Sequence, residues 1–194
     1  MSLKIKNLYK NFGRKVIFND FNYEFADNGV YALVGESGIG KTTFLRIISS
    51  LDKDFRGELV FSREALISVA FQEHRLLPTV NAINNVLISA FDTFTKADYE
   101  ITKNLLKRLN FSESDMKLYP NEMSGGMKQR ISLARALLFP HNILLLDEPT
   151  KELDEGLREA VYEIINEQAK CSLVILSSHS SEDIEKTNAI CIHL

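Results

Sequence analysis

Hydrophobic positions change period several times along this chain, and each change marks an element. Near the start, Leu3 and Ile5 alternate with polar residues and Leu8 follows after a shift, the pattern of a half-buried strand. Phe21, Tyr23 and Phe25 alternate in the same way and predict a second strand. Asp27-Asn28-Gly29 punctuates a turn, after which Val30 to Val34 are apolar without a break. A short unbroken run bounded by glycine fits a strand buried on both faces. Residues 41 to 50 place Phe44, Leu45, Ile47 and Ile48 at helical spacing, and Glu58 to Phe61 and Ile67 to Phe71 predict two further short strands.

From about residue 74 the strand signals stop. Ile83, Val86, Leu87 and Ala90, then Ile101, Leu105, Leu106 and Leu109, recur at helical spacing, so residues 74–126 read as a helical insertion. Strand signals return at Ile143 to Leu146, followed by a helix near 154–169, a strand at Leu173 to Leu176 and a last one within Ala189 to Leu194. Buried strands alternating with helices predict an α/β fold, a parallel sheet with helices on both faces. The chain's 194 residues make one domain, with residues 1–73 and 127–194 forming the core around the insertion.

Composition narrows the classes. With 45% hydrophobic and 25% charged residues the chain is neither disordered, collagenous nor a coiled coil. No apolar run approaches the ~20 residues of a membrane-spanning helix, and the start lacks a secretory signal, so a cytoplasmic chain is expected. The formal net charge is −3 and no basic run exceeds Arg14-Lys15, so no nucleic-acid partner is expected. Cys171 and Cys191 lack a C-x-x-C partner and sit in apolar segments; they are expected to be buried free thiols, not metal ligands.

Of nine glycines, five fall in two short motifs, and these carry the chemistry. The first is Gly35-Glu36-Ser37-Gly38-Ile39-Gly40-Lys41-Thr42-Thr43, between a buried strand and a helix. It fits G-x-x-x-x-G-K-[ST], a loop whose backbone N–H groups converge on an anion, helped by the positive end of the following helix. Lys41 would reach the β and γ phosphates of a nucleotide and the Thr42 hydroxyl would hold Mg²⁺. The second chemical segment is ILLLDEPT, Ile143 to Thr150, in which two carboxylates emerge at a strand end. Neighbouring side chains point to opposite sides, so Asp147 and Glu148 cannot do the same job. One suits Mg²⁺ and the other can take a proton from an attacking water. The second glycine motif, MSGGMKQR from Met123 to Arg130, begins a helix with Ser124 as N-cap and leaves Gly125 and Gly126 unobstructed, a second helix end fit for an anion.

Taken together these residues resemble the ATP-binding subunits of ABC transporters over nearly the whole chain. GESGIGKTT is similar to the Walker A loop, ILLLDEP to Walker B and MSGGM to the signature motif of that family. Gln72 matches the Q-loop, Leu153 and Asp154 the D-loop, His179 the switch histidine, and Phe12 the aromatic that stacks on adenine, with core packing as the other reading of Phe12. The resemblance implies a P-loop NTPase (RecA-like) parallel sheet, an N-terminal antiparallel β subdomain and an inserted helical subdomain. It implies ATP and Mg²⁺ as ligands, with Thr42, Gln72 and Asp147 at the metal, Glu148 as general base and His179 on the γ-phosphate. Ser124, Gly125 and Gly126 would touch ATP held by a second subunit, and Asp154 would lie at that interface.

The implied partners are a second ATPase subunit, identical or not, a membrane permease that holds the chain at the inner face of the membrane, and, for an importer, a substrate-binding protein. FQEHRLLP and YPNEMSGGMKQR resemble the nitrate, sulfonate and taurine importer branch. A regulator of a membrane or cell-wall complex that transports nothing would carry the same catalytic set. Residues 72–94 hold Leu76, Leu77, Val80, Ile83, Val86, Leu87, Phe91 and Phe94, and those not used in a core would suit an amphipathic helix from a membrane partner. The sequence departs from the family at Met123 and Met127 in the signature, at Lys151 and Glu152 in place of the common serine and alanine, and at Ser180 where aspartate is frequent.

Overall fold

The computed structural model describes residues 2–90 and 93–194; Phe91 of the apolar segment lies outside them. Along the chain come β1 (Leu3–Phe12), β2 (Lys15–Phe25), β3 (Gly29–Val34), α1 (Lys41–Ile48), β4 (Arg56–Phe61) and β5 (Ile67–Ala70). Then follow α2 (Ala82–Ala90), α3 (Lys96–Arg108), α4 (Gly125–Leu138), β6 (Ile143–Asp147), α5 (Glu155–Gln168), β7 (Leu173–Ser177), α6 (Ser181–Lys186) and β8 (Ile190–His193).

Among the described residues, β2-β1-β4 make a three-stranded antiparallel sheet and β5-β6-β7-β3-β8 a five-stranded parallel one. The shift in β1's alternation has a structural cause. The ladder is irregular between Ile5 and Leu8, where Asn7 takes φ 52°, and this returns Leu8 to the buried face beside Leu3 and Ile5. On β4, a Cβ at Gly57 would lie 2.6 Å from the carbonyl oxygens of Lys6 and Asn7, so only glycine lets β4 approach there.

The parallel strands read as unbroken hydrophobic runs because both faces are covered. Leu144 and Leu146 of β6 join Val174, Leu176, Val30 and Ala32 under α2, α4 and α5. Ile143 and Leu145 face the other way, with Leu173, Ile175, Leu33 and the buried side of α1. On that second face an aromatic cluster bonds the two sheets together: Phe44 of α1 meets Phe18 and Phe21 of β2 at ring-centroid distances of 5.7 and 5.5 Å, and Phe25 meets Tyr31 of β3 at 4.9 Å. Each such pair adds about 0.5–1.5 kcal/mol beyond the area it buries.

Between β5 and β6 the described residues are helical or irregular. Ile83, Val86 and Leu87 of α2 are buried against α4, whereas Leu77 and Phe94 are exposed. The expected face of α3 is rotated by one position: Ile101 is exposed and Thr102 buried in its place. Thr102 can be buried because its hydroxyl donates to the Asp98 carbonyl at 2.8 Å, which satisfies its polar group within the helix. α3 is held to α5 by a two-bond pair, Arg108 to Glu167 at 2.8 and 3.0 Å. The cysteines depart from expectation, since both are free and exposed. Cys171 sits in the turn ahead of β7, and Cys191 lies on β8, an edge strand with one face uncovered. Among the described residues no helix is long and apolar enough to cross a membrane.

Candidate functional site

The site forms where β3, β6 and β7 end side by side, at the carboxyl edge of the parallel sheet. Ligands of open α/β sheets bind at such edges because loops there are free to vary while strands hold their roots. The loop after β3 turns directly into α1. Gly40, the N-cap of α1, has φ 129°, and a Cβ on it would stand 2.4 Å from Ile17 Cγ2, so no other residue fits. The next residue, Lys41, is buried, and its Nζ donates to the carbonyls of Gly35 at 2.7 Å and Glu36 at 3.0 Å. Burial pushes its ammonium below the usual lysine range, opposed by the charges of Glu148 and Asp147.

The two carboxylates at the end of β6 part company. Asp147 accepts from the Thr42 hydroxyl at 2.8 Å through one oxygen and from the Ser177 hydroxyl at 2.6 Å through the other. Ser177 reaches it because β7 lies beside β6, Asp147 pairing with Ser177 in register. Glu148, at φ 52°, takes the left-handed region, rare for a residue with a side chain. Its N–H donates to the Ser177 hydroxyl at 3.0 Å, and its carboxylate lies 3.2 Å from His179 Nε2 and 2.7 Å from Lys151 Nζ. Gln129 of α4 donates to the Glu148 carbonyl at 3.3 Å, tying α4 to the same strand end.

Gly40, Lys41, Thr42, Asp147, Glu148, Lys151 and His179 line one cleft of about 370 Å³, together with Ser37, Gly38, Thr43, Gln72 and Phe12. Gln72 is exposed on the segment after β5. Phe12 is 54% exposed, so it is no core residue, and the Lys10 ammonium lies 4.7 Å from its ring centroid. Lys10 is itself buried and bonded to Asp52 and Asp54, which fixes it under the ring. Gly35, Glu36 and Ile39 complete the loop behind the cleft; the Ile39 N–H donates to the Glu36 carbonyl at 3.3 Å.

Ser124, Gly125, Gly126 and Asp154 are not brought to this cleft. Ser124 caps α4, its hydroxyl accepting from the Met127 N–H at 3.2 Å, and Ser124 and Gly125 stay exposed. Asp154 caps α5, accepting from the Leu157 N–H at 3.0 Å.

Three contributors were not read from the sequence. Lys15 donates to the Gly38 carbonyl at 3.0 Å and lines the cleft, with no motif to mark it. Ser177 had a signal, a polar residue closing an aliphatic run. Asp183 is buried and accepts from the hydroxyls of Thr150 at 2.9 Å, Tyr162 at 2.6 Å and Ser178, and so ties the segments carrying Lys151 and His179 to α5 and α6. Burial and the Asp183 carboxylate push the Tyr162 hydroxyl well up, which keeps it a donor.

The donor set fits a magnesium nucleotide. Oxygen is the ligand atom at Thr42 and Asp147, as a hard cation prefers, and no group of three or more His, Cys, Asp or Glu able to hold a metal occurs among the described residues. A cation here would take its remaining ligands from phosphates and water, the usual arrangement for Mg²⁺.

A family model described as ABC transporter matches residues 18–151. The aliphatic sulfonates import ATP-binding protein SsuB of Bacillus cereus is 33% identical over 99% of this chain and 81% of its own length. The methionine import ATP-binding protein MetN of Campylobacter jejuni is 31% identical over 94% of this chain and 65% of its own length. Among solved structures, a dimeric ATP-binding cassette in a post-hydrolysis state, bound to ADP and Pi, superposes with a TM-score of 0.86 at 26% identity, over 99% of this chain and 94% of that one.

Proposed function

We propose, because this chain belongs to the ABC transporter family and is the ATP-hydrolysing subunit of an import system, that the cleft divides the reaction among its residues as follows. The loop from Gly35 to Thr43 wraps the triphosphate, with Lys41 exchanging its own-loop carbonyls for the β and γ phosphates. Phe12 stacks on the adenine. Thr42 and Asp147 would hold Mg²⁺, together with Gln72. Bound Mg²⁺ supplies charge neutralisation on the transferring phosphoryl group. Glu148 takes the proton of the attacking water, and His179 orients the γ-phosphate. Ser177 holds Asp147 beside Thr42, which leaves the proton-taking role to Glu148.

The observation that carries this reading is the convergence of Lys41, the Thr42–Asp147 pair and the Glu148–His179 pair at three adjacent strand ends. A general base is worth about 10²–10⁴-fold in rate, so Glu148→Gln is expected to lower kcat by at least about 10²-fold while MgATP still binds. Lys41→Ala is expected to abolish binding. Calorimetry and steady-state hydrolysis test both, and normal turnover by Glu148→Gln would remove the base from this scheme.

Import relatives that work with sulfonates and methionine support a role beside a membrane permease, at the inner face of the membrane, with a second subunit, identical or not, completing each ATP site. The substrate is then chosen by the permease and its binding protein. The exposed Leu77, at the start of the helical part, is our candidate contact for the permease. A photo-cross-linker at Leu77 should capture a membrane protein in native vesicles, and capture of soluble proteins alone would count against it.

A further inference from the structure

The turn that follows β6 puts a cation on the proposed base. After Glu148 the backbone doubles back, the Lys151 N–H donating to the Glu148 carbonyl at 3.2 Å. The side chain of Lys151 is carried over the Glu148 carboxylate, and its Nζ lies 2.7 Å from Oε2. The other oxygen, Oε1, lies 3.2 Å from His179 Nε2. Both carboxylate oxygens are thus engaged by groups of this chain, whereas a base must offer an oxygen to water.

The partners are unequal. The Glu148 side chain is 14% exposed and that of Lys151 54%. An ordinary surface pair contributes little because both side chains are hydrated and mobile. Here the carboxylate is recessed and rooted in a left-handed residue at a strand end, so only the lysine can swing away. We propose that Lys151 is a positioning residue that holds the Glu148 carboxylate out of use, so that each turnover must first break the Lys151–Glu148 pair. The proposal rests on Glu148 being the base.

Two measurements on the purified full chain test it. Lys151→Met keeps the aliphatic stem and removes the charge; it should raise kcat by about fivefold and leave the KM for ATP within about twofold. Lys151→Arg, which keeps the pair, should not show the increase. The second measurement needs no turnover: acetylation of Lys151 by N-hydroxysuccinimidyl acetate, followed by mass spectrometry on nucleotide-free protein. Glu148→Gln should speed acetylation of Lys151 by about fivefold and leave the exposed Lys53 unchanged. A kcat that stays level or falls in Lys151→Met, or Lys151 acetylation indifferent to Glu148→Gln, overturns the proposal. Full hydrolysis by Glu148→Gln instead overturns the base assignment beneath it.

Discussion

Asp183 shows how a single residue can matter without a motif. Its carboxylate is 3% exposed and gathers three hydroxyls from three separate segments. Asp183→Ala would leave those hydroxyls without an acceptor in a dry site, a loss of about 2–4 kcal/mol. Urea unfolding should show that loss, and hydrolysis should fall with it, because Ser178, which Asp183 holds, precedes His179. Unchanged stability would mean that the hydroxyls find other acceptors. At this scale the sequence was legible where chemistry demands a residue type at fixed spacing, as in Gly40-Lys41-Thr42 or Asp147-Glu148. It was silent on Asp183 and Lys15, whose partners are distant in the chain and whose residue types are common anywhere, and marked Ser177 only as the polar residue that closes an aliphatic run. Cys171 and Cys191 misled because apolar neighbours in sequence do not say whether a turn or an edge strand lies beneath them.

Elements were legible where their apolar pattern had room to register. Strands β3, β6 and β7 declare themselves by unbroken apolar runs, and α1 and α5 by a stripe. Six-residue α6 is too short for a helical period to register. On α3, Thr102 concealed the buried face, since its hydroxyl is satisfied inside the helix and the residue reads as polar. Helix ends carry a prediction of their own. Asp154 caps α5, so Asp154→Ala should cost about 1 kcal/mol and lower Tm by about 2–4 °C, while Asp154→Asn should keep most of the cap. If ATP-driven association of the Asn variant fails at full thermal stability, Asp154 also acts between subunits. If the Asn variant melts as early as the Ala variant, the cap is not what Asp154 contributes.

For the whole molecule, the α/β class followed from the alternation of strands and helices, but the order β5-β6-β7-β3-β8 did not. Strands that are apolar on both faces carry no mark of which neighbour they will take. The site has a matching gap: the cleft offers donors from one side, and the capped end of α4 stands exposed away from it. A second copy presenting that end would close the γ-phosphate from the other side by a self-complementary contact. Glu148→Gln with MgATP should therefore accumulate as a dimer in light scattering, and adding Ser124→Arg should keep it monomeric while ATP still binds. A monomeric Glu148→Gln, or a dimer that survives Ser124→Arg, would refute the role given to Ser124. The strand order has one more consequence. β3, which carries the phosphate loop, is flanked by β7 and β8, both made after the other strands of its sheet. On the ribosome, then, the complete loop emerges early and waits. Its supporting strand has no neighbour until β7 is synthesised and remains an open edge until β8 arrives. Nucleotide capture becomes possible only once β8 has been made, so the affinity of the loop serves as a check that the sheet around it is complete.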